Sequence, residues 1–213
     1  MARTNRNQAP DRHSRVRTRP RKATVVHDGS AFQLAAELRV YGFDVAEGPL
    51  LSSSNRQADP GSLAILSTRH DGTRGDRLRE RARQLCANGA TILAVGSAVS
   101  PVAELFGAAR HAPTKERASG RLTNIGSRDE GLFAGLPEKF RLALPAGHRF
   151  DVSALSSEFG ATAWSQDGEL VGASHVFRPV HLLHAGAVES AEVRPLVVRN
   201  LLRLLRERGG RAF

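Results

Sequence analysis

Two hydrophobic periods alternate along this chain. Short apolar runs occupy Ala23 to His27, Phe43 to Ala46, Ser62 to Ser67 and Thr91 to Val95, each the length of a β-strand. Between them Phe32, Leu34, Ala35 and Leu38 recur at helical spacing up to Tyr41-Gly42, and Arg74 to Asn88 reads as an amphipathic, arginine-rich helix stopped by Gly89. Ser30 is placed to cap the first helix. Strand and helix in strict turn predict an α/β domain with a parallel sheet. Thr91 to Val95 is wholly apolar and reads as a strand buried on both faces.

The pattern changes in the second half. Residues 47 to 61 read as a loop, and residues 109 to 130 as an extended surface segment. Phe140 to Leu144 reads as a strand. Gly160 to Ser165 and Glu169 to Ala173 read as a hairpin closed at Gln166-Asp167-Gly168, with Trp164 packed on it. Val193 to Arg208 closes the chain as a helix with a stripe of Leu196, Val197, Asn200, Leu201, Leu204 and Leu205.

The chain is organised around residues 91 to 108. The buried strand runs straight into Gly96-Ser97-Ala98, all small, and then into a helix with Pro101 in its first turn. Strand, tight turn and helix make a nucleophile elbow, a corner that lifts one residue above the sheet edge. Ala94-Val95-Gly96-Ser97-Ala98-Val99-Ser100 resembles the elbow of the class I glutamine amidotransferases, Gly-Val-Cys-Leu-Gly-His-Gln after an apolar strand. Leu105-Phe106-Gly107, Leu132-Phe133-Ala134-Gly135-Leu136-Pro137, the hairpin and the closing helix arrive in that family's order. The opening strand, Asp28 and Phe32 resemble the start of the amidotransferase subunits of anthranilate and aminodeoxychorismate synthases.

The resemblance implies a three-layer, mostly parallel central sheet flanked by helices, flavodoxin-like, over residues 23–213. It also implies three departures in the chemistry. The family's nucleophilic cysteine falls on Gly96, which has no side chain to attack a carbonyl. The glycine-rich loop that helps hold the oxyanion falls on Ser67-Thr68-Arg69-His70-Asp71. The histidine and glutamate of the triad fall in Pro179 to Ser190, where a gapless register puts them on Gly186 and Val188. A one-residue slip recovers Glu189 but puts Ala187 on the histidine. His184 then stands two residues from Gly186 and, if the strand continues, on the same face.

The resulting expectation is an amidotransferase fold without glutaminase chemistry, acting as a structural or regulatory subunit of a synthase, a chorismate-utilising one by resemblance. Gly96 and Ser97 are its vestigial elbow, and His184, Gly186 and Glu189 its vestigial triad region. A second reading is a pocket repurposed for a small anionic metabolite, with Ser67, Arg69, Ser100, His148, His181 and His184 as ligand candidates. No cofactor and no metal is implied.

Charge adds a third reading. Of 31 Lys and Arg residues, eight lie in residues 1 to 22 against one acid, Asp11. That stretch is too polar to offset its ordering entropy and is expected to be a disordered tail, suited to nucleic acid or an acidic partner. The 213 residues otherwise suffice for one core. Cys86 is the only cysteine, which excludes an internal disulfide and leaves it a small core residue. No apolar run reaches membrane-spanning length and no signal peptide is visible, so a cytoplasmic protein is expected.

Overall fold

A computed structural model describes residues 21–27, 31–49, 60–68, 75–109, 121–145 and 149–209. Residues 1–20 of the tail, Asp28, Ser30, Arg69, His70, Asp71 and His148 lie outside the described residues, while Lys22, expected in the tail, opens the first strand and pairs with Asp44.

The first half alternates as expected. β1 (Lys22–His27), α1 (Phe32–Val40), β2 (Asp44–Gly48), β3 (Leu63–Thr68), α2 (Gly75–Ala87), β4 (Thr91–Gly96) and α3 (Val99–Leu105) follow in order. α1 starts from Ala31, which offers no side-chain cap. Then come β5 (Arg121–Ser127), β6 (Lys139–Leu144), β7 (Phe159–Ser165), β8 (Leu170–His175), β9 (Val180–Leu183), α4 (Ala185–Glu189) and α5 (Arg194–Gly209).

These strands form one nine-stranded sheet in the order β2-β1-β3-β4-β9-β8-β7-β5-β6. The β2, β1, β3, β4 and β9 ladders are parallel, and those from β9 through β8, β7 and β5 to β6 are antiparallel. β5 is a correction: residues 121–127 are not a surface segment but a strand paired on both sides. Its polar composition hid it. Alternation leaves Ile125 buried on one face while Asn124 faces solvent, as in a strand covered on one side only.

Each sheet face has its own core. Leu63, Ile65, Leu93 and Val95 meet α1, α4 and α5 on one side. Ala64, Leu66, Ile92 and Ala94 meet α2 and α3 on the other. A strand that fills both cores needs apolar residues at every position, which is why β3 and β4 read as continuous runs. Cys86 packs at the margin of the second core. Phe32, expected on the buried stripe of α1, is 65% exposed.

α5 buries Val197, Val198, Asn200, Leu201 and Leu202, so its contact face is turned slightly from the expected stripe. The Asn200 amide donates to Leu132 O at 3.0 Å and Ala134 O at 2.7 Å, pinning the Leu-Phe-Ala-Gly turn to the helix. Asn200→Ala strands both carbonyls in the interior and should lower stability by about 2 kcal/mol in a denaturant titration. At the β2 edge, Glu47 joins Arg39 and His27. The Arg39 guanidinium, more than His27, holds the Glu47 carboxyl below its ordinary range against the opposing effect of burial. Among the described residues no helix is long and apolar enough to cross a membrane.

Candidate functional site

The site lies at the carboxyl edge of the parallel strands, where open α/β sheets present their loops. Gly96 is the last residue of β4 and pairs with Thr68 at the end of β3. Its φ of +63° lies in the left-handed region, so this corner has the kind of bend a nucleophile elbow uses. Any Cβ there would stand 3.2 Å from Thr68 O and 3.5 Å from Ala185 Cβ.

Among the described residues, the two N–H donors that follow Gly96 are already used. In an elbow enzyme the N–H after the nucleophile points into the oxyanion hole. Here that N–H belongs to Ser97 and donates to Thr68 O at 3.1 Å, while Ala98 N–H donates back to Val95 O at 3.3 Å. Ser97 is half-buried.

The triad region is built differently from the expectation. Strand alternation does not reach Gly186, because β9 ends at Leu183 and α4 begins at Ala185. Residues two apart in a helix do not share a face, so His184 and Gly186 are not alternatives for one position. Gly186 is buried, and a Cβ on it would strike the carbonyl oxygen of Ala143 on β6. The space for a side chain has been closed by backbone.

His184 is the N-cap of α4. Its Nδ1 accepts the Gly186 N–H at 3.1 Å, which assigns the ring proton to Nε2. Nε2 faces Glu169 Oε1 at 3.3 Å, and the side chains are 11% and 4% exposed. Both ring nitrogens are therefore engaged, and neither is offered to the elbow. Glu169 comes from the residue before β8, anchored beside it by its backbone bridge to Asp151, whose carboxylate takes Arg149 Nε at 2.8 Å. Glu189, the acid expected here, is exposed at the far end of α4.

Sequence reasoning missed Glu169. It reads as the first residue of a hairpin strand, and only folding brings it to His184. An acid set against the apolar pair Leu170-Val171 was the one available sign that it is buried.

The other described candidates are engaged elsewhere in the fold. Ser67 is buried inside β3, at 1% exposure. Ser100 sits in α3, where its hydroxyl donates to Glu104 Oε1 at 3.2 Å, and Glu104 Oε2 takes Arg79 of α2 at 2.7 Å. His181 lies within β9, paired in register with Leu93, and its Nδ1 is 2.8 Å from the Ser174 hydroxyl. Arg69 and His148 lie outside the described residues.

No family model matches this sequence, and no curated protein does. Solved structures match its fold. A protein assigned as a GMP synthase subunit from Thermoplasma acidophilum has a TM-score of 0.75 at 18% identity, covering 91% of this chain and 98% of that one. A glutamine amidotransferase from Thermotoga maritima has a TM-score of 0.62 at 15% identity, with coverages of 89% and 85%. PurLQS from Thermotoga maritima gives 0.58 at 18% identity, with coverages of 87% and 99%. Likeness at these identities speaks to architecture, and the elbow, the sheet order and these matches together establish that the chain has a glutamine amidotransferase-like α/β fold.

Proposed function

We propose that this chain is an amidotransferase-like subunit that does not hydrolyse glutamine and serves as a structural or regulatory component of a synthase. The observation that carries the reading is the state of the elbow: Gly96 has no nucleophile and the Ser97 N–H is bonded to Thr68 O. Amide hydrolysis at such a corner needs a nucleophile, a base and free oxyanion donors acting as a unit. The engagement of both His184 nitrogens supports the same reading.

The proposed partner class draws on the name of one neighbour and on the opening motif of this chain. One structural neighbour is named as a subunit of GMP synthase. The opening motif of this chain resembles the subunits of chorismate-utilising synthases, and that is the partner type we propose.

The test is ammonia release from glutamine by the full chain and by Gly96→Cys, beside co-purification of the chain from its own cells. Neither protein should release ammonia above background, because a restored thiol still lacks a free base and a free Ser97 N–H. A synthase-class polypeptide should co-purify. Ammonia from the unmodified chain overturns the non-hydrolytic reading, and a chain that purifies alone overturns the subunit reading.

A further inference from the structure

Away from the elbow, the antiparallel end of the sheet has one face open to solvent. In the register across it, Gly126 of β5 lies between Lys139 of β6 and Trp164 of β7. Having no side chain, Gly126 leaves a notch. The Trp164 indole leans over that notch, its Nε1 3.5 Å from where a Cβ on Gly126 would stand. The cleft holds about 380 Å³ and is lined by Asn124, Gly126, Arg128, Lys139, Trp164 and Gln166 among others. That volume falls in the range of small-ligand sites.

The chemistry of the lining is specific. Strand alternation turns Lys139 and Arg141 to the open face and sends Phe140 to the opposite one, where it stacks on Phe133 at 6.2 Å. Glu138, exposed on the bend before β6, also borders the cleft. The Arg128 guanidinium sits 5.7 Å from the Trp164 ring centroid. Its one carboxylate neighbour among the described residues, Glu130, is 3.6 Å away in an exposed pair that a stronger anion can replace. An aromatic ring, two cationic side chains and two side-chain amides line an open cleft of small-ligand size.

We propose that this cleft binds a planar aromatic anion of about mononucleotide size. The ring stacks on Trp164, the anionic group is taken by Arg128 and Lys139, and the ring edge meets the amides of Asn124 and Gln166. Base–aromatic stacking exceeds an exposed cation–π contact, so the ligand's ring displaces Arg128 from the indole and frees it for the anion. This site is independent of the elbow and stands whether or not glutamine is hydrolysed.

Trp164 is the only tryptophan in the chain, so its emission reports this cleft alone. The full chain is titrated with AMP, UMP, inorganic phosphate and single-stranded oligothymidylate, exciting the indole beyond nucleobase absorption. AMP or UMP should quench Trp164 saturably, and phosphate should not. Lys139→Glu, on an exposed edge-strand position, should weaken the effect at least about tenfold, the loss expected for one charge-assisted contact. Arg203→Glu on α5 should leave it unchanged. No saturable change with either mononucleotide overturns the proposal. So does an equal response to phosphate, an unaffected Lys139→Glu protein, or quenching by the oligonucleotide alone, which would make the face a nucleic-acid platform.

Discussion

Gly186→His should destabilise the protein and yield no base. In the gapless of the two registers suggested by the sequence resemblance, the family's histidine would fall here, so the substitution is one attempt to build a triad. A Cβ there meets the Ala143 carbonyl oxygen at less than contact distance, with His184 Nδ1 and Pro145 Cδ each 3.3 Å away. The obstacle is backbone of β6, so relief requires moving a strand or unwinding α4. Overpacking of this kind costs about 3 kcal/mol. For a chain of this length that lowers the melting temperature by about 10 °C. A Gly186→His protein that melts with the parent would show that β6 does not close this space.

His184→Ala should have the next largest effect, through two losses at once. The side chain caps α4 by accepting the Gly186 N–H, and it covers a Glu169 carboxylate that is 4% exposed. Loss of a cap is worth about 1 kcal/mol. Withdrawing one partner of a buried acceptor adds about 2 kcal/mol. The sum, about 3 kcal/mol, should appear as a lower denaturant midpoint with an unchanged slope. His184→Asn keeps an acceptor at the cap and loses only the contact to Glu169, so it should recover about 1 kcal/mol of that deficit. If alanine and asparagine destabilise equally, the cap contributes nothing and Glu169 is the whole of His184's role.

Much of this architecture is legible before folding, for definite reasons. Ser62 to Ser67 and Thr91 to Val95 fill cores on both faces, so their apolar runs are continuous and unmistakable. The Asp167-Gly168 turn announces the β7–β8 hairpin, because φ at Gly168 is +77° and few other residues accept that. β5 is hidden because one of its faces is bare, and a strand with polar residues on its open side resembles a loop. Local pattern puts Trp164 on its own hairpin, whereas it leans across to β5, where only a glycine leaves room.

The chemistry divides in the same way. What the sequence alone determined was an absence and a turn: no thiol at residue 96, and a tight turn of small residues after a buried strand. Those are local properties, set by the residues of one short stretch. The tertiary structure decided what the neighbours do. It ended β9 at Leu183, turned His184 into a helix cap, brought Glu169 from the hairpin to meet it, pushed the Ala143 carbonyl into the space at Gly186, and closed Thr68 O onto the Ser97 N–H. Each of these joins residues far apart in the chain through a strand end or a backbone carbonyl, and such contacts exist only once the sheet has been assembled.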